Sequence, residues 1–281
     1  MTTQSDKGRL FRALHQREEA FIIPNPWDPG TARLLQLLGF EALATTSAGF
    51  AFSLGKPDGA ISREQTLEHV SAIASATDLP VSADLEHGFG DSPTAVADTI
   101  VRSAKTGIVG GSIEDVSGRS DKTPYEMQHA AERIRAASEA ARNLPFAFTL
   151  TARSENYIVG RPDLKDTIKR LQAYQEAGAD VLFAPGLTSK EDIAAVVSSV
   201  DRPVNVIVGL QGAQLSLAEL SSIGVRRISV GSALSRGALG AFLRAAQEMK
   251  ENGTFDFARE AVSYREISAM FAANPGGDGS E

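Results

Sequence analysis

Short β-branched apolar runs alternate with Gly/Ser/Asp-rich loops and Ala-rich amphipathic stretches along most of the chain. Read by period, the apolar runs predict strands near 21–26, 42–47, 79–85, 111–115, 146–152, 180–184, 203–208 and 226–231. The amphipathic stretches predict helices over 29–38, 62–77, 93–106, 124–142, 163–177, 188–199, 214–222 and 234–250. Start signals agree with these limits: Ser62 precedes Gln65, Asp163 precedes Asp166, and Ser92 is followed by Pro93. Gly39, Gly107, Gly178 and Gly224 each follow a helix and precede a strand, where a left-handed residue ends the helix. Eight uninterrupted βα units favour a closed (β/α)8 TIM barrel, an α/β fold, over a doubly wound sheet.

The barrel is expected to span residues 1–255. A further apolar-faced helix near 256–272 falls outside the eight units, and its apolar face is expected to pack on a partner subunit, giving a homodimer or homotetramer. The tail 273–281 reads as disordered.

The strands end in charge. The third runs into Asp84-Leu85-Glu86-His87-Gly88, and strand alternation puts Asp84 and Glu86 on one face. The fourth ends at Glu114-Asp115 and the fifth at Arg153. In such a barrel the active site lies at the carboxyl ends of the strands. Two carboxylates ~5 Å apart repel by roughly 3 kcal/mol at an effective dielectric of 20, so a cluster of three needs protons or a cation. Oxygen ligands without Cys or clustered His point to Mg²⁺, with Mn²⁺ as the alternative. Arg153 beside such a site suits a carboxylate or phosphate clamp, or a salt bridge to Glu114 or Glu155. The loop after the second strand, Thr45-Thr46-Ser47-Ala48-Gly49, is small enough for backbone N–H groups to approach an anion.

Composition narrows the classes further. The 281 residues carry 28 Lys+Arg against 35 Asp+Glu, a formal charge of −7 with no dense basic run, which argues against nucleic-acid partners. No cysteine is present, so neither disulfides nor thiol chemistry operate. The amino-terminal stretch to Glu19 lacks a signal-peptide core and no apolar run approaches ~20 residues, so a cytoplasmic protein without membrane partners is expected. His15, His69 and His129 fall on helices and read as solvent-facing, as does the Glu132, Arg133, Arg135 face. Asn205 on the seventh strand is a candidate ligand contact.

Asn25-Pro26-Trp27-Asp28-Pro29-Gly30, Thr45-Thr46-Ser47-Ala48-Gly49, Asp84-Leu85-Glu86-His87-Gly88-Phe89-Gly90, Ser112-Ile113-Glu114-Asp115 and Thr151-Ala152-Arg153 together resemble the isocitrate lyase/phosphoenolpyruvate mutase superfamily. The resemblance runs from about Phe21 to Phe242. It implies a barrel whose last helix is exchanged between subunits, with Mg²⁺ held largely through water by Asp84, Glu86 and Glu114. A small 2-oxo acid or its enolate would be chelated there. Its carboxylate would meet Ser47, the backbone near Ala48 and Gly49, and Arg153. Trp27 matches a pocket-lining aromatic and Asp58 an acid near the reacting centre, giving Arg153, Asp58 and Glu114 catalytic roles. The implied activity is lyase-type C–C cleavage next to the carbonyl.

The chain also departs from that pattern. Lyases of the superfamily carry Lys-Lys-Cys-Gly-His after the fourth strand, with Cys as the acid. Here the stretch is Val116-Ser117-Gly118-Arg119-Ser120-Asp121-Lys122-Thr123. It also lacks the Asn-Ser pair of phosphonomutases, and the second acid is Glu86 where Asp is usual. Ser117, Arg119 and Lys122 are candidates for closing the gate, and Tyr157 and His87 for donating the proton. P–C cleavage of a phosphonopyruvate-like substrate and a non-catalytic oxo-acid-binding relative stay open as alternatives. So does a phosphosugar enzyme using the Val230-Gly231-Ser232-Ala233 turn as a phosphate cradle.

Overall fold

The computed structural model describes residues 2–118, 123–209 and 214–272. Its eight strands are β1 (Phe21–Ile23), β2 (Leu43–Ala44), β3 (Val81–Asp84), β4 (Gly110–Glu114), β5 (Thr149–Arg153), β6 (Val181–Phe183), β7 (Val204–Ile207) and β8 (Arg227–Ser229). All pair in parallel, in the order β1-β8-β7-β6-β5-β4-β3-β2. The seam between β1 and β2 is bridged by Ala44 N–H to the Pro24 carbonyl (3.1 Å) and by the Asn25 amide to the Thr45 carbonyl (3.0 Å). The result is a (β/α)8 barrel, nearly closed. Its strands are shorter than the apolar runs that predict them. Pro24, Pro26, Pro80 and Pro203 cannot donate to a ladder, and they bound β1, β3 and β7.

The helices are α1 (Gln4–Leu14), α2 (Pro29–Leu37), α3 (Ser47–Ser53), α4 (Arg63–Ser75), α5 (Pro93–Ala104), α6 (Met127–Arg142), α7 (Leu164–Glu176), α8 (Lys190–Ser198), α9 (Leu217–Ser222), α10 (Ala233–Asn252) and α11 (Tyr264–Ala272). Ser62, Ser92 and Asp163 are N-caps, as their spacing predicts. Gly39, Gly178 and Gly224 directly follow the C-caps with φ of 84°, 103° and 91°, while Gly107 sits one residue further on. The main core lies between barrel wall and helix ring, where Ile134, Leu171 and Tyr174 meet Leu150 and Leu182.

Two helices were not foreseen. α1 plugs the amino-terminal end of the barrel, packing Phe11 and Leu14 on Phe21, Ile23 and Val109. It can settle there because Gly8 presses on the loop before β5; a Cβ at Gly8 would lie 2.3 Å from the Ala147 carbonyl oxygen. α3 begins inside the segment read as the end of the second strand, because the Thr46 side chain caps the Gly49 N–H at 3.2 Å.

The carboxyl-terminal segment is not one helix. Residues Asp256–Arg259 form a 3₁₀ turn, and Ser263 then caps α11 through Glu266 N–H at 3.2 Å. α11 reaches α2 of the same chain, where Arg33 donates to the Phe271 carbonyl at 2.7 Å. By contrast α10 buries only Ser235 and leaves Leu239, Phe242 and Leu243 exposed. The tail 273–281 and the gate residues Arg119 and Lys122 lie outside the described residues.

Candidate active site

β3, β4 and β5 deliver the site. Glu114 and Arg153 end adjacent strands in direct register, and Asp84 ends the next strand over. Glu86 arrives by a different route from that read in the sequence. β3 stops at Asp84, and Glu86 lies in a turn with φ of 48°, followed by Gly88 at 76° and Phe89 at 56°. Left-handed backbone at two non-glycine residues is costly and persists only where surrounding contacts impose it. Here Glu114 N–H donates to the Glu86 carbonyl (2.9 Å), Gly88 N–H to Leu85 (2.8 Å) and the Thr99 hydroxyl to Gly88 (2.8 Å).

The fourth support is Arg133, which the helix pattern placed in solvent. It is instead 1% exposed. Its guanidinium donates to the carbonyls of Glu114 (3.0 Å), Gly90 (3.1 Å) and His87, and lies 4.3 Å from the Tyr125 ring centre. His15 and His69 are also corrected: His15 is buried under the barrel, and the His69 ring stacks on Phe50 at 3.7 Å.

Arg153 is the hub. Its Nη1 lies 3.2 Å from Asp84 Oδ1 and 3.7 Å from Glu114 Oε1, its Nε donates to Glu155 Oε1 at 2.9 Å, and Phe183 lies beneath it at 5.1 Å. Burial disfavours the Arg153 charge, but Glu114, Glu155 and Asp84 outweigh it and hold the guanidinium firmly protonated. Burial pushes the Glu114 carboxyl well above its ordinary range; Arg153 opposes this, while Glu155, Asp84 and Glu86 add to it. Glu155, read in the sequence only as a salt-bridge partner, is therefore part of the cluster.

Three carboxylates meet one guanidinium, with Glu86 acting on Glu114 beside them, and this excess of acid leaves room for a divalent cation. Among the described residues no three His, Cys, Asp or Glu side chains form a ready-made ligand cage. Asp84, Glu86 and Glu114 offer only oxygen donors, which suits Mg²⁺, an ion that takes one or two carboxylates and keeps several waters.

Two adjoining spaces open here, sharing Ser47, Asp58 and Arg153. Asp84, Ala48 and Asn205 line the larger, of about 380 Å³; Glu86, Glu114, His87 and Ser117 line the smaller, of about 260 Å³. Asp58 stands exposed at the shared rim. Trp27 and Gly49 line neither. A Cβ on Gly49 would fall 3.1 Å from Trp27 Cβ, so the two backbones pack closely together. Ser47 N–H is already given to Asp84 Oδ2 at 3.2 Å. Asn205 faces downward, accepting from Arg227 Nε (2.8 Å) and donating to Ser229 (3.0 Å). Burial and Arg133 keep His87 below its ordinary value, hence neutral near pH 7, despite Asp91. Tyr157 lies outside both spaces. The N–H groups of Val230 and Gly231 both donate to Asn25 Oδ1 (3.0 and 2.9 Å), so neither remains for a phosphate.

Sequence reading missed Arg133, Asn25 and Arg227. A charged residue inside the apolar run of the eighth strand was the one signal for Arg227; Arg133 gave none, because α6 is rich in surface charge.

The fold and the site together are an eight-stranded barrel with acids and an arginine gathered at one mouth. The phosphoenolpyruvate phosphomutase family model matches residues 11–250, and the chain belongs to that family, within the isocitrate lyase/phosphoenolpyruvate mutase superfamily. It is 61% identical to a Burkholderia cenocepacia J2315 protein described as a candidate lyase/mutase. That crystal structure superposes over 96% of this chain and 97% of its own with a TM-score of 0.94. Identity to 2-methylisocitrate lyase of Escherichia coli K12 is 32% over 205 residues, covering 70% and 68% of the two chains. Identity to oxaloacetate decarboxylase of Chromohalobacter salexigens is 27% over 256 residues, covering 89% and 87%. No helix among the described residues is long and apolar enough to cross a membrane.

Proposed function

We propose that this chain is an enzyme that cleaves the C–C bond beside the carbonyl of a small 2-oxo acid or related carboxylate, through an enolate. The observation that carries this reading is Arg153 at the junction of two adjoining spaces, beside Asp84 of the larger and beside Glu114 of the smaller, which Glu86 also lines. A Mg²⁺ or Mn²⁺ held by those acids would supply Lewis-acid polarisation of the carbonyl. Arg153 adds fixed positive charge where the substrate carboxylate and the developing oxyanion would lie. Ser47 and Ala48 border the carboxylate end, and Asp58 at the rim stands where a leaving group departs. Relatives that act as a lyase and as a decarboxylase support this chemistry. The exposed apolar face of α10 supports a homo-oligomer.

The test is turnover of a 2-oxo acid panel with Mg²⁺, with EDTA, and in Asp84→Ala. Loss of product in the last two is expected; EDTA-resistant turnover or an active Asp84→Ala enzyme would end the proposal. The family model is named for a phosphomutase, which favours P–C cleavage as a second reading. Phosphorus NMR of phosphonopyruvate incubated with enzyme and Mg²⁺ separates the two. Mg²⁺-dependent oxalate binding without turnover of any panel member would identify a non-catalytic relative.

A further inference from the structure

The larger space does not end at the acid cluster. It continues into the barrel to a floor made by β7 and β8, where Arg227 lines it together with Asn205, Ser229 and Ser82. Arg227 opens β8 in register with Asn205 and is 6% exposed. Its Nε donates to Asn205 Oδ1 at 2.8 Å, and its Nη1 faces His15 Nε2 at 3.5 Å. His15 Nδ1 lies 2.8 Å from the Phe11 carbonyl, which can only accept, so Nδ1 carries the hydrogen and Nε2 is an acceptor. Every partner of Arg227 is therefore neutral.

The other arginines inside the fold spend their donors on the protein: Arg133 gives Nη1 and Nη2 to the carbonyls of Glu114, His87 and Gly90. Arg153 has Asp84, Glu114 and Glu155, and Arg170 has Asp115 and Asp166. No carboxylate of the described residues pairs with Arg227, and its Nη2 edge has no partner among them. Burial and the nearby Arg153 charge press it down to about 9, which still leaves it charged near neutrality. A guanidinium that lines a cavity with no carboxylate beside it is costly unless an anion joins it.

We propose that Arg227 is a second anion subsite, and that it takes the far carboxylate of a small dicarboxylic acid whose near end lies at Arg153. The near end rests on the function proposed above; the floor stands on its own geometry. A cavity of about 380 Å³ is at the small end for ligand sites, so the acid is short and unbranched. Its two carboxylates would each meet a guanidinium, and Arg227 would set the choice of dicarboxylate over monocarboxylate.

Calorimetry on the full chain with Mg²⁺ tests this. The probes are oxaloacetate, 2-oxoglutarate and 2-oxoadipate, each against the monocarboxylic 2-oxo acid of equal chain length, with oxalate reading the mouth alone. At one of these lengths the wild type should bind the dicarboxylate at least roughly tenfold more tightly, the scale of a charge-assisted bond. Arg227→Met should erase that preference and leave oxalate affinity within about twofold, while Arg227→Lys should keep part of it. Absence of preference in the wild type at every length overturns the proposal without any variant having to fold. A preference that survives Arg227→Met also overturns it. So does an unfolding temperature raised equally by chloride and dicarboxylate, which would mean an inorganic counter-ion only. Loss of oxalate binding with the preference retained would instead overturn the reading of the mouth and spare the floor.

Discussion

Arg133 offers a direct test of how the acid-bearing loop is held. In Arg133→Met the side chain keeps most of its length and packing but loses its donors. Three carbonyls, of Glu114, His87 and Gly90, then each lose a charged partner. An abandoned buried acceptor costs about 1–3 kcal/mol, and the contact with Tyr125 adds ~0.5–2 kcal/mol. Opposing this, burial already lowers the Arg133 pKa, so removing the charge recovers several kcal/mol of desolvation. The balance is a loss of ~2–4 kcal/mol, a large share of the ~5–15 kcal/mol typical of a whole domain. Urea unfolding measures it. The stabilisation conferred by added MgCl₂ should shrink in parallel, because the Glu86 turn relaxes out of its left-handed conformation. Arg133→Lys should recover less than half, since one ammonium cannot span carbonyls from two loops. A Met variant within ~0.5 kcal/mol of wild type, or a Lys variant equal to Arg, would refute this account.

Three further outcomes follow from the same geometry. Arg153→Lys keeps a charge but not the fork that reaches Asp84, Glu114 and Glu155 together, so turnover should drop roughly 10²–10³-fold with circular dichroism unchanged. Gly49→Ala gains ~1 kcal/mol of helix propensity, yet its Cβ would sit 2.6 Å from Thr46 Cγ2; the crowding wins and thermal melts should show a net loss of ~1–2 kcal/mol. His15 is held down to about 3 by burial and by Arg227, so it stays neutral when folded while the unfolded chain takes up a proton near 6.5. Its contribution is complete above the unfolded value and is lost as pH falls towards 3, at ~1.4 kcal/mol per pH unit. The difference between wild type and His15→Asn in unfolding free energy against pH should show that slope; a flat difference would exclude it.

The barrel and the charged strand ends were legible because both are local. Apolar runs of strand length, caps such as Ser62 and Asp163, and left-handed glycines after helices are written within a few residues, and their sum leaves few topologies open. α1 escaped notice because its polar surface masks the two residues, Phe11 and Leu14, that plug the barrel. Glu86 lines the smaller space by a route that strand alternation does not give: alternation does not apply beyond Asp84, and a strained turn brings it in. Trp27 and Gly49 match a motif by order, yet neither lines the two spaces, and order along the chain does not decide that.

From its sequence alone, the chain specified eight βα units, a mouth rich in acid and the arginine among those acids, since each depends on neighbours along the backbone. Only the tertiary structure decided what charge meets what. Arg133 and Arg153 look alike in a one-dimensional string, but one braces a loop and the other gathers three carboxylates. Arg227 meets none among the described residues. Electrostatic energy depends on separation and burial, and both are fixed when distant strands close into a barrel.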